Sequence, residues 1–438
     1  MRHCLVVKHV LTRPALAAYA AISLPLAAAA LPVHVYVPRL YAGLGMDLAV
    51  VGLVLLAVRL LDAVSDPLLG ALADRIPLRR GGRKAMIAAA VLPLAVGFWL
   101  LFHPPQQPGL LAAWLAGTLV LAYIGLSAAS IGHFALGSAL SRDYAERTRI
   151  TAARGVAALA GVLCAAVIPE LLVRERGAVQ GLAAFAVAYL PVLAVAALVT
   201  LAAGPPAPPA AVRAVTLQAL LLPLRNPRFR RLAPVFLVNG IAAGIPATLL
   251  LFFAADVLQR PDLTALFLLL YFAAGAAGMT VWVRLAARAG KVRAWFAAMA
   301  MAVTAFVWAF FIGAGDVAAF VAVCLLSGLA FGADLALPAS LLADVIDDDE
   351  SAGGRPDGAY FGIWHLLEKL ALALAAGLAL PLLQWLGYEP GVPAEQGSGL
   401  SWIYALLPCA IKLAAALLLL QSGLERGRAA WSWKGVRA

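Results

Sequence analysis

Charge is scarce in this chain. Only 13% of its 438 residues are charged, while 64% are hydrophobic, too little polar surface to cover a soluble globule, so its solvent is lipid. Acids are scarcer than bases, 22 Asp and Glu against 33 Lys and Arg, which leaves a formal net charge of +11. Cysteine is nearly absent. Cys4, Cys164, Cys324 and Cys409 stand singly, without the paired spacing of a zinc site or disulfide framework, and read as core filler. There is no HExxH, no nucleophile elbow and no phosphate-cradling Gly-Lys-Ser/Thr, so the chain does not read as an enzyme and calls for no cofactor. Nor is there a run of ten-residue alternating segments, which argues against a β-barrel.

What is present is apolar length. Spans of about 20 apolar residues recur at about 14–37, 48–73, 85–103, 110–140, 150–173, 180–203, 232–257, 263–287, 292–313, 316–345, 358–386 and 400–422. The first has no cleavage pattern and reads as a membrane helix rather than a signal peptide. Twelve helices are expected. The basic residues fall in alternate connections: Arg75 to Lys84, Arg142 to Arg149, Arg213 to Arg231, Arg284 to Arg293, and the tail from Arg426. By the positive-inside rule both termini are cytoplasmic, and the net charge reflects topology rather than nucleic-acid binding.

The longest polar interruption begins with GPPAPPA at Gly204 and ends in LRNPRFRR at Arg231. Proline cannot continue a helix, so 204–231 reads as a cytoplasmic linker between a six-helix half, 1–203, and a second half with its tail, 232–438. The halves echo each other weakly. Gly70, Asp74, Arg75, Gly82, Arg83 and Lys84 follow the second span, as Gly278, Arg288, Gly290 and Lys291 follow the eighth. Such repeats are the organisation of the major facilitator fold.

The chemistry concentrates in RLLDAVSDPLLGALADR. Asp62 and Asp66 lie four apart inside an apolar helix, hence on one face, with Arg59 three residues earlier. A carboxylate at the bilayer centre costs about 2.5–3.5 kcal/mol even on lenient scales, so such a pair points to function. Two carboxylates in a low-dielectric site either share a proton or remain ionised around a cation.

Three stretches carry a resemblance: RLLDAVSDPLLGALADR, ALSRDYAERTRITAARG at 139–155, and LPASLLADVIDDDE followed by GAYFGIWHLLEKLALAL at 337–374. In order and spacing they resemble the signature segments of the glycoside-pentoside-hexuronide:cation symporters. The resemblance implies an all-α membrane protein with the major facilitator fold, twelve transmembrane helices in two halves, and cation-coupled symport, with H+ or Na+, of a sugar or glycoside. By position it implies cation-binding carboxylates at Asp62 and Asp66, the residues that would hold Na+, with Lys369 nearby. It implies a sugar-site arginine at Arg154. The chain departs from the family at Ser130, where an aspartate linked to cation and sugar is replaced by a hydroxyl, and at Ala139, where many relatives carry glutamate.

Lys369 is an internal counter-ion candidate for Asp62 or Asp66 once the cation has left. Further substrate-binding candidates are Tyr123 and Ser127 on the fourth span, and Phe361, Trp364 and His365 on the eleventh. Phe361, His365 and Lys369 recur every fourth residue and share a face. His34, His103 and His133 fall near span ends and read as interfacial. Gating candidates are Arg59, Asp74, Arg75 and Arg83, with Asp344 and Asp347 from the acidic run that closes the tenth span. Acids at a helix C-terminus seek positive partners, and the basic loops at 79–84 and 284–293 lie on the same side. The expected setting is a bacterial inner membrane, with a small-molecule partner, no nucleic acid and a monomeric carrier. The alternative reading is a carrier of the same fold for lysolipids or other amphiphiles.

Overall fold

The computed structural model describes residues 11–75, 82–141, 144–205, 222–347, 357–394 and 397–424. No strand occurs among them, and twelve helices are long and apolar enough to cross a membrane. In chain order these are α1 (Arg13–Gly43), α2 (Leu48–Arg75), α3 (Gly82–Leu101), α4 (Leu111–Leu140), α5 (Tyr144–Arg176), α6 (Ala178–Ala202) and α7 (Pro227–Val257). They continue with α8 (Thr264–Ala289), α9 (Lys291–Phe306), α10 (Val317–Asp347), α11 (Asp357–Trp385) and α12 (Gly399–Gln421).

Local chemistry explains where the helices depart from the apolar runs. Thr12 caps α1 by accepting from the Ala15 backbone N–H, and Pro14 suits the first turn. A turn at Ala21 and Ile22 interrupts α1, and Thr200 of α6 fills the break. Its hydroxyl accepts from Ile22 N–H at 3.2 Å and donates to the Ala18 carbonyl at 2.9 Å, so backbone groups freed in an apolar setting are satisfied. On hydropathy alone α7 is expected from about 232; it begins at Pro227 because Asn226 accepts from the N–H groups of Arg228 and Phe229. It closes in a π-turn, Phe253–Val257.

The described residues cluster into two compact units. One comprises parts of Met1–Val33, Val64–Gln106 and Ala113–Ala214; the other, parts of His34–Ala63, Gln107–Ala112 and Val215–Ala438. In the first unit, Phe98 packs against Phe102, Phe185 and Tyr189. The core of the second centres on Trp295, Phe229, Tyr360 and Leu342, all fully buried. Cys324 and Cys409 are buried as expected of core filler, whereas Cys164 is exposed.

Candidate functional site

Within the second unit the segment 48–63 of α2 runs antiparallel to α11, in a register that can be followed step by step. The Gln384 side chain accepts from the Ala49 N–H at 2.6 Å. A turn on, a Cβ on Gly52 would meet Pro381 Cδ at 2.9 Å and the Ala376 carbonyl at 3.0 Å, and one on Gly377 would meet Leu56 at 2.9 Å. The missing side chains let the two helices approach closely. The seam ends at Asp62, whose Oδ2 lies 2.7 Å from Lys369 Nζ, with side-chain exposures of 2% and 20%. Removing one partner of so buried an ion pair costs about 3–5 kcal/mol, because the other charge is left stranded.

Arg59, three residues before Asp62, is buried and hydrogen-bonded to His34 of α1. Asp66 follows Asp62 by one turn on the same helix, so the two carboxylates share a face. Asp74 and Arg75 close α2 and Arg83 opens α3, but their side chains lie outside the described residues, as do Arg79, Arg80 and the run 348–350. Asp344 pairs with Lys291 Nζ at 2.7 Å, and that ammonium also donates to the Ser340 carbonyl, tying the end of α10 to the start of α9. Asp347 is exposed at the end of α10.

On α11 the expected candidates separate. Phe361, 42% exposed, His365 and Lys369 share one face by spacing, and His365 sits 3.3 Å from Glu368 with both side chains exposed. Trp364 points elsewhere. It is buried and stacked on Phe236 of α7, with ring centroids 3.8 Å apart, as part of the second unit's core.

In the first unit Tyr123, Ser127, Ser130 and Phe134 fall at i, i+4, i+7 and i+11 on α4 and line one stripe. Tyr123 and Ser127 are buried and Ser130 half-buried. Arg154 of α5 places its guanidinium over the Phe134 ring, 4.2 Å from the centroid, a cation–π contact. Next to this stripe is a group that hydropathy misread. His133, expected at an interface, is 2% exposed, accepts or donates through Nε2 at 2.9 Å to Ser23 Oγ of α1, and stacks on Tyr19 at 4.3 Å. Its i+4 neighbour, Gly137, leaves room for the Tyr19 hydroxyl, which would meet a Cβ there at 2.0 Å. Tertiary packing outweighs position along the span.

Two further clusters escaped sequence reading. Lys412 of α12 lies 2.9 Å from Asp334 of α10, and Trp295 of α9 donates its indole N–H to the same carboxylate at 2.8 Å. Asp334 lies ten residues from the next charge on α10 and Lys412 is the one charge on α12, and only the fold brings them together. At the other end, Asp256 in the π-turn of α7 receives Arg39 of α1 at 3.5 Å, the Tyr388 hydroxyl and the Gly391 N–H at 3.2 Å. Arg39 also donates to the Leu251 carbonyl at 2.8 Å and lies over the Phe252 ring. Burial, and then the bond to Asp256, push the Tyr388 pKa up.

A twelve-span helical protein with a buried acid–base pair at the end of a close helix seam, and an arginine inside another span, is a membrane carrier in its organisation. The chain belongs to the MFS/sugar transport protein family, whose model matches residues 18–426. It is 25% identical over 379 residues to the inner membrane symporter YicJ of Escherichia coli (strain K12), covering 83% of this chain and 80% of the relative. It is 23% identical over 396 residues to YagG of the same organism, assigned as a glycoside/cation symporter, with coverages of 86% and 84%. Among solved structures, the nucleoside transporter NupG superposes with a TM-score of 0.70 at 13% identity, covering 94% of this chain and 99% of that one, which shows the shared fold. The protein is a multi-pass secondary transporter and not an enzyme.

Proposed function

We propose that the protein is a cation-coupled symporter that takes up a sugar or glycoside by alternating access across a bacterial inner membrane. The observation that carries this reading is the buried contact of Asp62 with Lys369. In the empty carrier Lys369 neutralises Asp62. A proton or Na+ arriving at Asp62 and Asp66 takes over that role and frees the lysine, so the two acids keep one bound positive charge in both states and the charge at the acidic site changes little as the carrier crosses. Ser130 supplies a hydroxyl rather than a third charge. Arg154, Tyr123 and Ser127 are the substrate-binding residues of the first unit; on α11, Phe361 and His365 are the substrate-binding residues and Trp364 is the packing support of that helix.

The six-helix halves 1–203 and 232–438, joined by the linker 204–231, exchange access. Arg59, Asp74, Arg75, Arg83, Asp344 and Asp347 contribute to the gates. The carrier works as a monomer in the bilayer.

Uptake into proteoliposomes under an imposed Na+ or H+ gradient tests the reading. A labelled glycoside should accumulate with one of the two gradients, and Asp62→Asn or Asp66→Asn should abolish accumulation while leaving substrate binding in place. Accumulation that survives Asp66→Asn would sink the proposal. Competition by lysolipids with no competition by soluble glycosides would move the substrate to the amphiphile class.

A further inference from the structure

Glu368 is a charged side chain deep in a membrane span, and it is exposed. Counted from Ala359, where the apolar span of α11 begins, it lies nine residues in, roughly 13.5 Å along a helix rising 1.5 Å per residue. Its side chain is 58% exposed, against 2% for Asp62 and 10% for Asp334, and the base beside it is not a lysine but the His365 imidazole at 3.3 Å. Ionisable groups at such depth face the bundle interior or a water-filled cavity rather than lipid.

The packing of α11 separates two kinds of exposed surface. The helix meets α7 through Trp364, stacked on Phe236, and through Ala371 and Ala375, which a Cβ on Gly240 or Gly244 would meet at 2.7 Å and 2.6 Å. At about 100° per residue, Phe361, His365 and Glu368 fall roughly 40–100° to one side of Trp364, and Leu367, Leu374 and Leu378 roughly 40–80° to the other. The leucine side is apolar and suits lipid. The other side carries an exposed aromatic ring, an imidazole and a carboxylate on one stripe, and a Cβ on the neighbouring Gly362 would meet nothing within 4 Å.

That stripe has the composition of a carbohydrate-binding surface. An ionised carboxylate only accepts hydrogen bonds, its two oxygens match two adjacent ring hydroxyls, and such charge-assisted bonds are stronger than neutral ones. An aromatic ring can receive the apolar C–H face of a sugar. Hydroxyls can replace an exposed imidazole contact, whereas the hold of Lys412 and Trp295 on Asp334 is buried and fixed. A cationic substrate suits the stripe poorly. Lys369 is the next residue, and its ammonium is released when the coupling cation takes Asp62.

We infer that Glu368 is a substrate ligand of the second unit, accepting hydrogen bonds from two adjacent hydroxyls of an uncharged sugar ring whose apolar face lies toward Phe361. This rests on the sugar-transport reading and deepens it by naming the group that reads the hydroxyls.

The test measures binding to the purified full chain by calorimetry, at fixed pH and cation concentration. Methyl β-D-glucoside, methyl β-D-galactoside and methyl β-D-xyloside are compared first, and then the monodeoxy derivatives of whichever binds. Glu368→Gln should weaken that glycoside by about ten- to a hundredfold, the range expected for lost charge-assisted bonds. Removing either of two adjacent hydroxyls should cost the wild type a similar factor and cost Glu368→Gln little more, because the partner is already gone. Should Glu368→Gln fail to fold, Glu368→Asp, with its carboxylate drawn back by one methylene, carries the same comparison with smaller factors. Wild-type affinity in Glu368→Gln or Glu368→Asp, or deoxy losses that are the same in wild type and variant, overturns the inference and leaves sugar transport standing. Tighter binding of methyl β-D-glucosaminide than of the glucoside, lost in Glu368→Gln, supports Glu368 as the ligand and overturns the uncharged sugar. Binding of no glycoside by the wild type overturns the sugar-transport reading and the inference with it.

Discussion

Of the lysine–aspartate pairs among the described residues of the second unit, Asp334–Lys412 and Asp62–Lys369 are the two least exposed, and they differ in what surrounds them. In Asp334–Lys412 the carboxylate also receives the Trp295 indole, so three helices are tied by one acid and both oxygens are used by fixed partners. In Asp62–Lys369 the lysine is the more exposed partner and a second carboxylate, Asp66, follows one turn on. The proposed mechanism gives the first arrangement a fixed, structural role and asks the second to exchange, another cation replacing the ammonium while the acids remain together. Distance does not separate them, since 2.9 Å and 2.7 Å are both tight. On this reading an ion pair can exchange when a second acid that can share the cation lies beside it, and is structural when fixed donors from several helices hold both carboxylate oxygens.

The largest effect that would sharpen this contrast is on transport. Asp62→Asn should eliminate accumulation against a gradient, whereas Asp334→Asn, if folded, should leave the coupling ion and its stoichiometry unchanged, as measured by flux in proteoliposomes. Stability should behave the opposite way. Lys412→Ala should cost about 3–5 kcal/mol in unfolding free energy, read by denaturant titration in detergent, and the paired replacement Asp334→Leu with Lys412→Met should recover most of it. If Lys412→Ala instead abolished coupling with stability intact, the division between the pairs would collapse.

A smaller effect is expected at the seam. Gly52→Val forces a side chain against Pro381 and the Ala376 carbonyl and should destabilise by about 1–3 kcal/mol. By separating α2 from α11 it should also loosen Lys369 from Asp62 and tighten cation binding, measured by calorimetry. The smallest effect belongs to Asp256. Because the Tyr388 pKa is raised on folding, its neutral form is the one the fold favours, so its contribution is complete below the ordinary tyrosine value of about 10 and declines as pH rises above it. Tyr388→Phe should therefore remove part of the alkaline loss of stability and leave the neutral range little changed.

Much of this was legible in the sequence, for a physical reason. Membrane spans must close their own backbone hydrogen bonds, so apolar length alone locates twelve helices, and a carboxylate pair at helical spacing stands out against Leu and Ala. Asp62 and Lys369 were within reach because each falls in a segment dense with signal. Asp334 and Lys412 were not. Neither has another charge within a turn or two, they lie 78 residues apart, and nothing local indicates that α10 and α12 bring them together. His133 failed differently, because hydropathy records depth and not the packing of Tyr19 and Ser23 around the ring. Trp364 shares the candidate stretch of α11 with Lys369, yet one residue of rotation puts it into the Phe236 stack, a difference of 100° per residue that spacing predicts only once the helix's buried face is known.

The central claim is that Lys369 and the transported cation take turns on Asp62. Cation affinity of the purified protein, measured by calorimetry with Na+ and by proton release on ligand binding, in the wild type and in Lys369→Gln, tests it most directly. Loss of the competing ammonium should tighten cation binding while concentrative uptake fails for want of a returning empty carrier. Unchanged cation affinity together with undiminished accumulation in Lys369→Gln would contradict the exchange and leave the pair a structural tie like Asp334 and Lys412.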